Sequence, residues 1–179
     1  MDWRLLLENE IEQCHYWTVI SMLEENLQKG TMDEEIFYLC LIYVYYEITI
    51  ESRLPDHYSY LPKLKSIYQE ASSKYGDRSD FLFYAAYICD SYEGAFIGLL
   101  PEDINGMFEK AFRSHPQNLL YQWGYYNYNQ CFTPETLLRC ASSILADPTY
   151  LQDINNHPLV RRDLSHHLQA DAGMNPAPW

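Results

Sequence analysis

Glycine is scarce in this chain, which has 7 glycines among its 179 residues. A protein of many short strands needs turn residues about every 8 to 12 positions, so this scarcity argues against an all-β fold. Long apolar runs are missing as well. The longest, residues 36–46, contains several tyrosines and is much shorter than the roughly 20 residues of a membrane-spanning helix. These absences favour a soluble protein built from helices.

Signatures of catalysis and of cofactor binding are also missing. The histidines form no HExxH or HxxxH pair, and the adjacent His166 and His167 would point about 100° apart on a helix. No glycine belongs to a phosphate-binding loop, and the segment that begins at Asp103 lacks the further oxygen ligands of a calcium loop. We therefore expect no enzymatic activity, no metal and no cofactor.

The five cysteines include no CxxC arrangement, and their odd number argues against a disulfide framework. Cys40 and Cys89 lie in apolar helical stretches, where a free thiol behaves as a small hydrophobic side chain. Residues 1–8 have neither the basic segment nor the apolar core of a secretory signal. Together these features predict a cytoplasmic protein.

Positive charge is in short supply, with 12 Lys and Arg against 25 Asp and Glu and a net charge of −13. The first third is the acidic pole, since residues 1–60 contain 12 acidic and 3 basic side chains. A field of this sign repels phosphate backbones and anionic membranes and attracts basic protein surfaces. We expect a basic protein partner, no nucleic acid and no membrane; the alternative is that the charge only maintains solubility.

A short pattern recurs at the ends of amphipathic helices. An aromatic or thiol side chain is followed three positions later by a small residue, and a Gly or Pro stop comes five residues after that. The three copies, at intervals of 40 and 32 residues, are Tyr68-Ala71-Gly76, Phe108-Ala111-Pro116 and Cys140-Ser143-Pro148. Such recurrence is typical of stacked helical hairpins, each too thin to bury its own apolar face.

Apolar periodicity and capping residues predict the individual helices. The expected spans are 3–13, 15–29, a helix from a Thr31/Glu34 capping box to 51, one around 61–71, 80–96, one from Pro101 through Phe112, 118–129, 133–146 and 159–169. Gly30 ends the second helix, and the β-branched run 48–50 weakens the end of the third.

The residues Phe108, Ala111, Pro116, Trp123 and Gly124 resemble a tetratricopeptide repeat, in which a helix ending in small and aromatic residues meets a proline and the next helix carries Trp and Gly. The resemblance spans residues 64–148. It implies an α-α hairpin superhelix whose first helices line a concave surface.

The expected fold is all-α, a superhelix of about four antiparallel helix hairpins. We expect one helical-repeat domain over residues 1–170 and a flexible tail over 171–179. The sequence leaves the oligomeric state open.

The first helices of these hairpins are rich in tyrosine, and the neighbouring tyrosines of residues 125–128 cannot all face inward at 100° per residue. We expect an exposed tyrosine-lined face beside carboxylates, suited to a basic protein. The candidate partner-binding residues are Tyr43, Glu47, Glu51, Asp90, Glu93, Tyr125 and Tyr128. The alternative interpretation is that each tyrosine packs between hairpins with its hydroxyl in water.

In size, acidity and lack of catalytic motifs, the chain is similar to bacterial immunity proteins of contact-dependent growth inhibition. That similarity implies an inhibitor that binds a basic toxin domain, most plausibly a nuclease, and blocks its active-site surface. The alternative is a tetratricopeptide-like adaptor or secretion chaperone that holds a peptide segment in its concave groove.

Overall fold

The computed structural model describes residues 3–51, 55–91, 94–128 and 133–174. All regular structure in these ranges is helical, which confirms the all-α expectation. The α-helices are α1 (Trp3–Glu12), α2 (Tyr16–Gln28), α3 (Glu34–Tyr46), α4 (Leu61–Tyr75), α5 (Ser79–Ser91), α6 (Pro101–Ser114), α7 (Leu119–Tyr128), α8 (Pro134–Ala146), α9 (Pro148–Asn155) and α10 (Arg161–Asp171). Within the described ranges, no helix combines the length and apolar character needed to cross a bilayer.

The end of α2 confirms the predicted glycine stop. Gly30 has a φ of +67°, its N–H donates to Leu27 O, and the Thr31 N–H donates to Asn26 O. These bonds satisfy carbonyls that the helix end would otherwise leave unpaired. The predicted Thr31/Glu34 capping box is wrong, because Asp33 is the residue that precedes α3 and the Thr31 hydroxyl donates to Asn26 instead.

Two helix ends differ from the predicted spans. After α3 the chain continues as a π-helical turn, Glu47–Glu51, at the β-branched run that was expected to weaken the helix. α5 ends at Ser91, five residues earlier than predicted, and a 3₁₀ turn follows at Gly94–Ile97.

α9 was not predicted, because Asp147-Pro148 was interpreted only as the stop of α8. In the structure the same pair also starts α9. Pro148 occupies the first turn, where its missing N–H is harmless, and the Asp147 carboxylate accepts a hydrogen bond from the Thr149 N–H at 2.8 Å.

Consecutive helices pack against each other as α3 with α4, α5 with α6 and α7 with α8. α3 also packs on α5, and α5 packs on α7, so these three helices form one layer, here called the first-helix layer. Gly124 permits the close approach of α7, because a Cβ at this position would lie 2.7 Å from Phe83 of α5 and 2.8 Å from Phe108 of α6.

α9 and α10 lie across the first-helix layer. Three side-chain hydrogen bonds join the layer to them: Tyr43 to Asp163 (3.1 Å), Tyr84 to Asp153 (3.3 Å) and Trp123 to Asp171 (2.8 Å). α10 is also tied to α1, where Arg161 forms a bidentate pair with Glu8 and its Nη2 lies 2.6 Å from Glu8 Oε2. The chain's own C-terminal helices therefore cover the surface that the sequence predicted to be concave and exposed.

The expectation of an exposed tyrosine face is wrong. The buried tyrosines of the first-helix layer are Tyr38, Tyr43, Tyr45, Tyr46, Tyr84, Tyr87 and Tyr121, and Tyr125, Tyr126 and Tyr128 are half-buried. The alternative, tyrosine as packing material, describes these rings better. Both sides of α3 and α5 are enclosed, by their hairpin partners on one side and by α9 and α10 on the other.

Candidate acidic binding cleft

Tyr43 and Glu47, two of the predicted partner-binding residues, lie together. Both line a small cleft near α1 that also contains Arg162 of α10. Tyr43 is buried, and its hydroxyl donates to Asp163. The side chain of Glu51 and the whole of Glu93 lie outside the described residues.

The predicted residues on α5 and α7 are held by internal contacts. The Tyr128 ring stacks on Phe108 with a centroid separation of 4.4 Å, and its hydroxyl hydrogen bonds to Asp90. Tyr125 stacks on Phe112 at 4.8 Å. The structure thus brings Asp90 and Tyr128 together, but it does not unite the predicted residues in one surface. Their role as partner contacts remains a prediction.

A more strongly acidic site lies at the N-terminal ends of α3 and α5. It is a cleft of about 410 Å³, bordered by these two ends, by the C-terminal end of α4 and by α9. The residues that line it are Asp33, Glu34, Glu35, Ile36, Tyr75, Arg78, Asp80, Asp153, Asn156 and His157. We call it the acidic cleft.

Local sequence explains why carboxylates gather there. Asp33 precedes α3, Glu34 and Glu35 fill its first turn, and Asp80 lies in the first turn of α5. Acidic side chains are favoured at helix N-termini because the helix dipole is positive there. Since α3 packs on α5 with both N-terminal ends at the cleft, the two sets meet, and α9 adds Asp153.

Glu34 is the balanced member of the cleft. It accepts hydrogen bonds from the Tyr75 hydroxyl at 2.6 Å and from Lys74 Nζ at 2.9 Å. The Tyr75 bond, followed by the Lys74 bond, lowers the pKa of Glu34. Lys74 also contacts the Tyr38 hydroxyl and Glu70, so this edge of the cleft has its own positive charge.

Glu35 is the unbalanced member. The residue is 7% exposed, and its Oε2 lies 2.8 Å from Arg78 Nη1. Its buried Oε1 has no hydrogen-bond partner among the described residues. Burial raises the pKa of Glu35, the Arg78 charge lowers it and the Asp80 charge raises it again, with a smaller lowering from the Phe81 backbone N–H.

Asp80 and Asp153 each receive one phenol hydroxyl. Tyr121 donates to Asp80 Oδ1, and Tyr84 donates to Asp153 Oδ2 at 3.3 Å. Burial and the charge of Asp80 raise the pKa of Asp153, and the Tyr84 hydrogen bond offsets part of that rise. The two carboxylates are therefore close enough to repel each other.

His157 adds no positive charge to the cleft at neutral pH. It is buried, and its ring stacks on Tyr84 with centroids 3.4 Å apart. Burial lowers its pKa to about 3, which keeps the imidazole neutral. Five carboxylates thus line the acidic cleft, and Arg78 is the charged cation among the described residues of its wall.

Comparison with protein families, curated proteins and solved structures finds no match to this chain. The tetratricopeptide resemblance therefore remains a prediction. Among the described residues no group of His, Cys, Asp and Glu is arranged to hold a metal ion. The chemistry that the acidic cleft offers is the binding of an organic cation.

The sequence contained one signal of this cleft that was not used. Acidic residues open both α3 and α5, and helices that stack side by side place their first turns together. Asp153 gave no such signal, because its helix was not predicted.

Proposed function

We propose that this protein is an inhibitor, not an enzyme, that binds a basic toxin domain and covers its active-site surface. The observation that supports this proposal is the acidic cleft, which concentrates five carboxylates beside one arginine of its wall. The proposed setting is the cytoplasm of a bacterial cell, and the proposed scaffold is a superhelix of stacked helical hairpins.

Electrostatics gives the cleft a role in both the speed and the specificity of binding. A charged surface of one sign steers an oppositely charged partner toward it, and clefts focus the field. Burial disfavours charge on Glu35 and Asp153. A cation from the partner would relieve this penalty, so binding would stabilise groups that the free protein holds unfavourably.

The alternative function is a chaperone or adaptor that grips an extended peptide in a concave groove. The same structure is less favourable to it, because α9 and α10 lie across the first-helix layer and hydrogen bond to Tyr43, Tyr84 and Trp123. A peptide on that surface would first have to displace the C-terminal helices. The acidic cleft stays accessible beside them, since Asp33, Glu34 and Arg78 are exposed.

The decisive experiment measures binding to the basic C-terminal domain encoded by the neighbouring reading frame. We expect the folded domain to bind with a dissociation constant in the nanomolar range or below, and the association rate to fall as salt increases. Charge reversal by Asp33→Lys with Glu34→Lys should slow association at low salt and flatten its salt dependence.

Two controls separate this surface from others. Glu25→Lys reverses an exposed carboxylate of α2, which is outside the acidic cleft, and should change the rate less. Glu47→Lys tests the surface predicted from the sequence. Equal effects of all three changes would contradict a role for the cleft, and binding that persists with the unfolded domain would favour the chaperone.

A further inference from the structure

Glu35 has unused capacity to bind a cation. A carboxylate offers about four acceptor positions on its two oxygens. Arg78 occupies Oε2, whereas the buried Oε1 has no hydrogen-bond partner among the described residues. Leaving such an atom without a partner is unfavourable, so native proteins rarely do so without a reason.

The oxygens of two neighbouring carboxylates are also only partly used. The Tyr121 hydroxyl donates to one oxygen of Asp80 and the Tyr84 hydroxyl to one oxygen of Asp153. All three carboxylates line the same cleft, and Asp80 acts electrostatically on both Glu35 and Asp153. Acceptors on three helices, α3, α5 and α9, therefore converge on one space.

We propose that the acidic cleft receives a single guanidinium group, the side chain of one arginine of the partner, with Glu35 Oε1, Asp80 and Asp153 as its acceptors. This proposal rests on the proposed function, because it names the group of the basic partner that enters the site. Arg78 remains on Glu35 Oε2, on the other side of the same carboxylate.

Geometry favours a guanidinium over the ammonium group of lysine. A guanidinium is planar and carries five N–H donors in a fixed fork, which matches acceptors spread around a cleft. An ammonium is a compact charge that holds its water more strongly. The volume of about 410 Å³ lies in the usual range of small-ligand sites, so one side chain fits with space for water.

The access route suits a long side chain. Exposed Asp33 and Glu34 stand at the cleft's edge, and buried Glu35 and His157 lie further in. Tyr75 is also in the wall, and the Arg78 guanidinium already lies over its ring at 6.0 Å. An aromatic wall with a carboxylate beyond it is a favourable path for a cation.

The test needs no partner protein. N-acetyl-arginine methylamide and N-acetyl-lysine methylamide each carry one positive charge, and both can be titrated into the full chain at low salt while amide chemical shifts are recorded. We expect the arginine probe to bind with a dissociation constant in the millimolar range, several-fold tighter than the lysine probe, with shifts centred on Glu35, Asp80 and Asp153. Glu35→Gln should weaken arginine binding about tenfold, because an acceptor charge is replaced by an amide.

Matched variants make the result specific. Glu25→Gln removes a carboxylate on α2 and should leave the titration unchanged. Asp153→Asn removes a charge but keeps an oxygen for the Tyr84 hydroxyl, and it should weaken arginine binding several-fold. Circular dichroism of each variant confirms that it is folded.

Equal binding of the two probes, or an unchanged titration of Glu35→Gln, would overturn the guanidinium site. Probe binding with no binding of a basic protein domain would instead refute the proposed inhibitor and leave this site in place. The two proposals can therefore fail separately.

Discussion

Two regions of the molecule use the same residue types in different ways. Where α10 crosses α3, Asp163 accepts a hydrogen bond from Tyr43; burial raises the pKa of Asp163, while that bond and the Arg162 charge lower it. In the acidic cleft, Asp153 also accepts from a tyrosine, but its charged neighbour is Asp80, which raises its pKa further. The first region balances its carboxylate, whereas the second adds like charge.

This difference separates a structural contact from a binding site. Carboxylates that are paired within the chain stabilise the fold and have little left to offer a partner. Carboxylates that repel one another reduce stability until a cation arrives. Four predictions test the contrast, and they run from the largest expected effect to the smallest.

Replacing Trp123 by alanine should damage the region under α10 most. The ring is fully buried and its Nε1–H donates to Asp171, so Trp123→Ala should lower the free energy of unfolding by about 3–5 kcal/mol. Trp17→Ala is the matched control, because that ring is 51% exposed and its loss should change stability by less than about 1 kcal/mol. Denaturant titrations measure both, and similar losses would contradict a structural role for the covered layer.

Breaking the tie between α1 and α10 should come next. Arg161→Ala leaves the half-buried Glu8 without its bidentate partner and should lower the free energy of unfolding by about 2–3 kcal/mol. Arg113→Ala breaks an exposed pair with Glu109 and should lower it by less than about 0.5 kcal/mol. If the two variants unfold at the same denaturant concentration, the tie contributes little.

Acidification should destabilise the protein through His157. The folded-state pKa is about 3, below the value of 6.5 for an unperturbed histidine, so between these values the unfolded state binds the extra proton. The free energy of unfolding should therefore fall as pH drops below about 6.5, by up to about 1.4 kcal/mol per pH unit.

His157→Gln should remove this slope between pH 6.5 and 5, as measured by denaturant titration at each pH. The raised pKa of Glu35 acts in the opposite direction, because the folded state then binds the proton more readily. Glu35→Gln should consequently steepen the loss of stability on acidification. An unchanged slope in His157→Gln would contradict a buried neutral imidazole.

Neutralising Glu35 should have the smallest effect on stability. Burial disfavours its charge, so Glu35→Gln at pH 7 should leave the free energy of unfolding unchanged or raise it by less than about 1 kcal/mol. Asp163→Asn makes the same type of change under α10, where Arg162 and Tyr43 favour the charge, and should lower stability by about 1 kcal/mol. The reverse order would show that the cleft is the structural region.

Local signals were enough to predict most helices. Pro101 begins α6, and the Asp103 carboxylate accepts the Leu100 N–H at 2.9 Å, as expected for acidic residues in a first turn. Gly30 ended α2 for the same kind of reason: the cap depends on residues within one turn. α9 was missed because a proline can end one helix and begin the next, and sequence alone does not distinguish the two roles at Pro148.

The covered tyrosines and the acidic cleft depended on distant contacts. Tyr43 meets Asp163 across 120 positions, and no periodicity within α3 contains that information. A helix buried on both sides has no polar face, so the residues 81–89, all buried, gave no amphipathic pattern to interpret. Likewise, the cleft forms only when the N-terminal ends of α3 and α5 come into register and α9 is added.

The pairing of Glu8 with Arg161 has a consequence for how the chain folds. These residues are 153 positions apart, so nearly the whole chain must be threaded into place before their ion pair forms. In a simple repeat array the outer units can melt one at a time, since each touches only its neighbours. Here the two ends clasp each other, which predicts slow, late closure of the molecule and a single sharp melting transition.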